Sequence, residues 1–328
     1  MTQTTLGMTI ADRQRHPCLS YNDKFMPGDF LLGVDLGGTK IAAGVFDMER
    51  KLLGQIAGAP TQADQPATVT LENLRQAVAQ ASRDAGLDGR APRAVGIGST
   101  GPVESATGRV LEATSLPNLN FFDLGQWVRE TVGAPMFIEN DANCLALGEA
   151  LQGAGVGRPA VVAVTLGTGF GCGMVLNGVM FSGVTGNAGE VGNCPVSGGT
   201  YDTMLSGAGV CRFYDRVRGP SSLSARQIGD LAESGDAEAL TAWRSFGDAV
   251  GAAVGTIAAV VDPSICVIGG SVAARLKLFE EPLRARLGAI LAPAAAARLE
   301  IAPARLGAAA GVIGAAEYAF YRLGARQA

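Results

Sequence analysis

Short apolar runs alternate along the chain with polar and glycine-rich segments. Two of these units have the same design, at residues 31–40 and 161–171: an apolar run, a polar residue, a leucine, and a tight turn of glycine and threonine. After each turn the chain is apolar again, at 41–46 and 174–180. Apolar runs rich in β-branched residues are typical of strands. Each unit therefore predicts a β-hairpin with a glycine-rich turn.

The remaining apolar positions predict an alternation of strands and helices. Further strands are expected at residues 94–98, 135–139 and 265–268. Helices are expected at residues 69–85, 123–131, 144–151, 201–217, 224–234, 237–261 and 307–323. Such an alternation is typical of α/β proteins, in which helices cover the faces of a sheet. Residues 1–28 show no period and predict a flexible N-terminal tail.

Composition narrows the classes of function. The chain has 328 residues, of which 48% are hydrophobic and 17% charged, so it is long and apolar enough for two domains with large cores. The formal net charge is −4 and no basic block is present, which argues against nucleic acid as a main partner. No apolar stretch reaches the roughly 18 residues of a membrane span, and residues 1–15 lack the apolar centre of a signal peptide. We expect no membrane partner and a cytoplasmic location.

The positions of the cysteines and the histidine predict no metal site. The six cysteines contain no Cys-x-x-Cys pair, and the single histidine, His16, lies in the predicted tail. A structural zinc site needs four nitrogen or sulfur ligands at characteristic spacings. The cysteines are therefore expected to be buried or inert thiols.

The paired glycine turns suggest a phosphate site. Glycines let main-chain N–H groups approach an anion closely, and threonine adds a hydroxyl donor. One such turn in each half of the chain predicts two lobes that hold one phosphate chain. Two alternatives are purely structural turns and, for the second turn, a dinucleotide-binding fingerprint. The fingerprint fits poorly, because Cys172 stands at its third glycine position and a strand, rather than a helix, is predicted to follow.

Three carboxylates are candidates for the chemistry. Asp141 follows a predicted strand directly and opens a helix, which places it at the carboxyl edge of a sheet, where ligands bind. There it can accept the proton of an attacking hydroxyl, although it can equally be a helix N-cap. Asp35, beside the first turn, is expected to hold Mg²⁺ through water or merely to shape the turn. Lys40 is expected either to offset the charge of a phosphate or to be an ordinary solvated lysine. Glu190 suits two neighbouring sugar hydroxyls or is an exposed loop residue.

Five motifs stand in an order that resembles the ROK family, the bacterial sugar kinases and related repressors of the actin-like ATPase superfamily. They lie at residues 35–40, 140–143, 166–171, 189–192 and 267–270. The resemblance covers residues 31–323. It implies a two-lobed actin-like ATPase fold with ribonuclease H-like domains and a cleft between them. The implied small lobe comprises residues 29–136 and 308–328, and the large lobe residues 137–307.

The resemblance also implies a function. It implies an ATP-dependent kinase that phosphorylates a hydroxyl of a hexose, with Mg²⁺, in a homodimer. Glucose-like hexoses are the preferred candidates for the acceptor, and fructose, N-acetylglucosamine and N-acetylmannosamine are the alternatives. The alternatives are a sugar-responsive transcription regulator, for which the roughly thirty residues before Leu31 are too few to form a DNA-binding domain, and a catalytically weak sugar sensor.

Site residues follow from the matching motifs. Asp141 is implied as the catalytic base and Asp35 as the water-mediated Mg²⁺ ligand. The sugar is implied to contact Asn118, Asn140, Asp141, Glu190, Asn193 and Asp202. The nucleotide is implied to contact Asp35, Gly37, Gly38, Thr39, Lys40, Thr165, Gly167, Thr168, Gly169, Gly171, Gly269 and Gly270.

The chain departs from the family pattern in one region. Asn193 stands where typical members have a histidine that touches the sugar and binds zinc. The segment 194–202 is shorter than the usual zinc-binding stretch and keeps only Cys194, so the resemblance implies no zinc site here. Asp202 stands where members have a sugar-binding glutamate that is one methylene longer.

Overall fold

The structure is a computed structural model that describes residues 29–324. The predicted tail, residues 1–28, and residues 325–328 of the predicted small lobe lie outside this range. The strands are β1 Phe30–Leu36, β2 Lys40–Asp47, β3 Leu52–Pro60, β4 Ala94–Ser99, β5 Val103–Glu104, β6 Arg109–Val110, β7 Met136–Asn140, β8 Ala160–Leu166, β9 Phe170–Leu176, β10 Val179–Met180, β11 Pro195–Val196, β12 Gly199–Thr200, β13 Ile265–Gly269 and β14 Glu300–Pro303. The helices are α1 Ala67–Asp84, α2 Leu124–Val132, α3 Asp141–Gln152, α4 Tyr201–Met204, α5 Gly207–Arg218, α6 Ala225–Glu233, α7 Ala237–Val261, α8 Leu276–Ile290, α9 Pro293–Arg298 and α10 Ala310–Gly324.

Two five-stranded sheets repeat one topology. The first has the strand order β3-β2-β1-β4-β7 and the second β10-β9-β8-β13-β14. Strands β1, β2 and β3 of the first sheet, and β8, β9 and β10 of the second, pair antiparallel. Strands β4 and β7 then extend the first sheet parallel to β1, and β13 and β14 extend the second parallel to β8. The two predicted hairpins are β1–β2 and β8–β9, so each opens one sheet. The predicted α/β class is confirmed.

Three apolar clusters hold the layers together. The first sheet packs on α1 and α2, and the second packs on the helices from α4 to α8. A third cluster lies between the sheets: Leu31 and Phe137 from the first sheet meet Val161 and Val267 from the second around α3 and α10. These two helices therefore form a shared central layer, and the first turn of α3 lies between the two sheets.

Glycines allow α10 to lie directly on its neighbours. A Cβ atom built on Gly314 of α10 would lie 1.7 Å from the carbonyl oxygen of Cys144 in α3. A Cβ on Gly33 of β1 or on Gly96 of β4 would lie 2.2 Å and 1.9 Å from carbonyl oxygens of α10. Backbone therefore touches backbone at these crossings, which fixes α3 relative to the first sheet.

Several elements differ from the prediction. The helix expected at 201–217 is two helices, because Ser206 caps a new one with a bond from the Gly209 N–H to its side chain. Helix α3 begins at Asp141 rather than at residue 144, and α10 begins at Ala310 after a single 3₁₀ turn. The elements that were not predicted are most of β3 and all of β5, β6, β11, β12, α8, α9 and β14. Helix α8 contains Pro282, which weakens its helical signal.

Lobe limits stay a prediction. Strand β7 pairs with β4 of the first sheet, so the expected boundary after residue 136 falls at the first residue of that strand.

Helix α7 is long and apolar enough, among the described residues, to pass a length and composition test for a membrane span. Its inner face carries Trp243 and Phe246, whose rings lie 5.8 Å and 5.3 Å from the ring of Phe279 in α8. These rings are buried in the core of the second sheet's layer, and core helices of soluble proteins pass the same test.

Candidate active site

The carboxyl ends of three parallel strands bring the predicted carboxylates to one edge. In the first sheet Asp35 of β1 is level with Gly98 of β4, which is level with Glu139 of β7. The turn after β4 lies against Asn140, because a Cβ on Gly101 would be 2.9 Å from the Asn140 Nδ2 atom. The side chains that follow β1 and β7 therefore share one edge of the sheet.

Helix α3 begins at this edge. Asn140 is its N-cap: the Asn140 side chain accepts hydrogen bonds from the N–H groups of Ala142, at 2.8 Å, and Asn143, at 3.4 Å. Asp141 is the first helical residue, and its Oδ1 accepts one bond, also from the Ala142 N–H, at 2.8 Å. The alternative that Asp141 serves merely as the N-cap is wrong. The cap is its neighbour.

The second hairpin packs against the same turn of α3. A Cβ on Gly171 would lie 2.8 Å from the Cβ of Ala142, and a Cβ on Gly173 would lie 2.5 Å from the Ala142 carbonyl oxygen. The Thr165 hydroxyl accepts a bond from the Gly171 N–H at 3.0 Å, so this predicted nucleotide contact also braces the hairpin. The second hairpin thus adjoins the residue that follows Asp141.

The pKa of Asp141 is raised strongly by its surroundings. Burial, and after it the charges of Asp35 and Glu190, raise the pKa of Asp141 from 3.8 to about 7. Burial also raises the pKa of Asp35 to about 6, although the nearby ammonium of Lys40 opposes this shift. The structure therefore brings together three predicted carboxylates and one predicted lysine. Clusters of carboxylates with perturbed pKa values are typical of catalytic sites.

Glu139 supports this arrangement and was not among the predicted site residues. It is buried, and burial raises its pKa. Its Oε1 accepts bonds from the Asn140 N–H at 2.8 Å and from the Asn143 side-chain amide at 3.1 Å. Glu139 thus holds Asn140, the N-cap of α3, and Asn143 in the first turn of that helix. The available signal was a charged residue at the end of an otherwise apolar strand.

The second glycine turn lies beside Gly269 and Gly270, two of the predicted nucleotide contacts. The Gly167 N–H donates to the Gly169 carbonyl at 3.0 Å, which closes the turn around the exposed Thr168. Gly269 is level with Thr165 in the neighbouring strand. Gly270 has a φ of +88°, and a Cβ there would lie 2.3 Å from the Leu166 carbonyl oxygen, so only glycine fits.

The first glycine turn is braced from outside. The Gly37 N–H donates to the Lys40 carbonyl at 3.0 Å, and the Thr61 hydroxyl donates to the Gly37 carbonyl at 2.6 Å. Gly38 packs on the loop that carries Ser115, whose carbonyl oxygen would be 2.4 Å from a Cβ on that glycine. Thr39 and Lys40 are exposed at the turn.

The predicted sugar residues have different surroundings. Asn118 donates to the Gln65 carbonyl at 2.9 Å and to the Thr70 hydroxyl at 2.8 Å, while its buried Oδ1 has no hydrogen-bond partner within residues 29–324. Glu190 is exposed, and burial of part of its side chain, followed by the charge of Glu139, raises its pKa. Asn193 is exposed, and Asp202 bonds to the second glycine turn. Their contacts with a sugar stay predictions.

Hydrogen bonds within the segment around Cys194 hold it in place. Strands β11 and β12 form a small hairpin, and the Tyr201 N–H donates to the Cys194 carbonyl at 3.0 Å. Thr200 and Thr203 form a capping box at the start of α4. Within residues 29–324, no group of three or more histidine, cysteine, aspartate or glutamate side chains is arranged to hold a metal ion.

Comparison with known proteins identifies the family. The ROK family model matches residues 31–321. The chain belongs to the ROK family. It is 29% identical to a glucokinase of Thermotoga maritima over 91% of this chain and 100% of the relative. It is 33% identical to an N-acetyl-D-glucosamine kinase of Salmonella heidelberg over 87% of this chain and 97% of the relative.

Solved structures confirm the fold. A ROK family glucokinase from Streptomyces griseus, crystallised with glucose and AMPPNP, superposes with a TM-score of 0.73 at 31% identity, covering 88% of this chain and 98% of that one. The predicted two-lobed actin-like ATPase fold is therefore confirmed. The predicted class of enzyme, an ATP-dependent carbohydrate kinase, is also confirmed at the level of the family.

A stability measurement tests the environment of Asp141. A native pKa of about 7 against an ordinary value of 3.8 means that the folded state holds this proton more tightly than the unfolded state. The contribution of Asp141 to the free energy of unfolding therefore falls as pH rises from about 4 to about 7, and Asp141→Asn removes this loss. We expect the variant to have a higher Tm than the parent at pH 8, in buffer without metal or nucleotide, and the difference to vanish near pH 4. A variant that melts below the parent at pH 8 would show that the carboxylate stabilises the fold instead.

Proposed function

We propose that this ROK chain transfers the γ-phosphoryl group of ATP to a hydroxyl of a glucose-like hexose, with Asp141 as general base. The observation that carries the proposal is the position of Asp141: it opens a helix between two glycine-turn hairpins, beside Asp35 and Glu190, with its pKa raised to about 7. A base with a pKa near the working pH combines the deprotonated form with a strong pull on the substrate proton.

Each part of the site has one task in this proposal. Asp141 accepts the proton of the attacking hydroxyl while the γ-phosphorus approaches that oxygen. The turns at residues 37–40 and 167–170 present N–H groups and threonine hydroxyls to the phosphates, and the Lys40 ammonium offsets their charge. Asn140 and Glu139 hold the start of α3, which keeps the Asp141 carboxylate in place.

The residues fit a magnesium ion that arrives with ATP. Asp35 is a half-buried carboxylate, and burial raises its pKa to about 6 against the opposing effect of Lys40. Mg²⁺ prefers carboxylate oxygen and keeps several waters, so Asp35 would hold it through water, beside the first turn. When bound, the ion supplies positive charge to the phosphate oxygens.

The acceptor is proposed to lie among Asn118, Asn140, Glu190, Asn193 and Asp202. Glucose-like hexoses are the first choice, and N-acetylglucosamine is the second because a relative named for it is comparably similar. Fructose and N-acetylmannosamine complete the proposed set. We also propose that the protein forms a homodimer and is located in the cytoplasm.

A panel of sugars tests the proposed activity. ADP release is measured with glucose, fructose, N-acetylglucosamine, N-acetylmannosamine and about eight further sugars, each against a control without sugar. We expect turnover with at least one hexose, with glucose the fastest. Sugar binding without turnover would favour the weak sensor. Specific retardation of DNA, again without turnover, would favour the regulator.

A further inference from the structure

Asp202, one of the predicted sugar-binding residues, forms a hydrogen bond with the second glycine turn. It lies in the first turn of α4 and is exposed. Its Oδ1 accepts a hydrogen bond from the Phe170 N–H at 3.0 Å. A Cβ on Gly169 would lie 2.1 Å from the same oxygen, so the carboxylate rests directly on the second glycine turn.

A carboxylate in this place competes with nucleotide phosphates. It already occupies one main-chain donor at the end of the turn, and its negative charge repels phosphate groups that approach the same N–H groups. Lys40, the cation whose charge acts on Asp35, belongs to the other hairpin. A bound ATP would therefore gain from the departure of this carboxylate.

The backbone of Asp202 is attached to the residues proposed to touch the sugar. The Asp202 N–H donates to the Gly192 carbonyl at 2.9 Å, and the Cys194 N–H donates to the Val191 carbonyl at 2.9 Å. The rings of Tyr201 and Phe170 lie 5.6 Å apart, which adds a second contact to the turn. Residues 190–202, called here the acceptor segment, thus connect Glu190 and Asn193 to the second glycine turn.

We propose that Asp202 is an internal anion that occupies the second glycine turn without sugar and leaves it when a sugar contacts the acceptor segment. Nucleotide binding is then weak until the acceptor is present. This inference rests on the proposed function and deepens it: Asp202 is a positioning residue that makes ATP binding depend on the sugar. By linkage, the nucleotide must strengthen sugar binding by the same factor. The arrangement would also limit hydrolysis of ATP by water when no sugar is bound.

Calorimetric binding of AMPPNP, with and without the best sugar of the panel, tests this. For the parent we expect the sugar to tighten AMPPNP binding by at least about fivefold, the lower end of common coupling. Asp202→Ala should bind AMPPNP without sugar about as tightly as the parent does with sugar, and the sugar should add little. Asp202→Asn keeps an acceptor for the Phe170 N–H but loses the charge, so it should also bind AMPPNP more tightly than the parent. It also serves as the test if the alanine variant does not fold.

The control removes an exposed aspartate elsewhere. Asp248→Asn in α7 should leave AMPPNP binding unchanged. ATP hydrolysis without sugar should rise in both Asp202 variants and not in the control. The inference is overturned if both Asp202 variants bind AMPPNP no more tightly than the parent without sugar, while the parent phosphorylates sugar normally. A parent that phosphorylates no sugar defeats the proposed function instead, which is a different result.

Discussion

Asp141→Asn is expected to lower kcat for sugar phosphorylation by about 10²–10⁴-fold, the usual contribution of a general base. The amide keeps an oxygen for the Ala142 N–H, so the start of α3 should remain intact. It cannot accept the hydroxyl proton. Because the loss belongs to the chemical step, the KM for the sugar should change far less than kcat.

The matched control for this variant is Asp123→Asn. Asp123 also lies at a helix start, and its side chain accepts a bond from the Gln126 N–H at 2.8 Å, but it belongs to α2. Its replacement should leave kcat within about twofold of the parent. If the Asp141 variant phosphorylates sugar at a rate close to that of the parent, another group takes the proton and the assignment fails.

Gly314→Ala is expected to cause the largest loss of stability, about 3 kcal/mol or more. The new methyl group would lie 1.7 Å from the Cys144 carbonyl oxygen, a backbone atom that cannot rotate away. Helices α3 and α10 must separate, and α3 carries Asp141. For a chain of this size we expect Tm to fall by about 4 °C or more. Activity below the melting range should fall as well, because the base moves away from the hairpins.

Gly288→Ala supplies the comparison. Gly288 is an exposed glycine of α8, and no atom from another part of the described chain lies within 4 Å of a Cβ built there. Alanine favours helix over glycine by up to about 1 kcal/mol, so this variant should be as stable as the parent or slightly more stable. Equal melting of the two variants would mean that the α3–α10 crossing is looser than the structure shows.

Local patterns in the sequence predicted the elements that open each sheet. The hairpins β1–β2 and β8–β9 combine apolar runs with glycine turns, and both signals lie within about ten neighbouring residues. Helix α7 was predicted with its full range, and the structure shows Asp236 as its N-cap. Helices α8 and α9 lack such marks, since Pro282 interrupts the first and the second is a short alanine-rich stretch.

Most features that could not be predicted depend on contacts between residues far apart in the sequence. The break at Ser206 is local, yet a helical pattern on both sides hides it. The contact of Asp202 with Phe170, and the charge of Asp35 acting on Asp141, join parts of the chain that only the fold brings together. Asp35 and Asp141 were selected by their positions at predicted strand ends, and Glu190 by the resemblance to the ROK family, whereas the support from Glu139 required its bonds to be seen.

A crystal structure with AMPPNP, Mg²⁺ and the best sugar of the panel tests the central claim most directly. We predict that one Asp141 carboxylate oxygen lies about 2.6–3.2 Å from a single sugar hydroxyl, the range of a catalytic hydrogen bond. The same hydroxyl should face the γ-phosphorus from the side opposite the bridging nitrogen. A complex in which the sugar binds with that carboxylate out of reach, and a different side chain holds the hydroxyl that faces the γ-phosphate, would contradict the account.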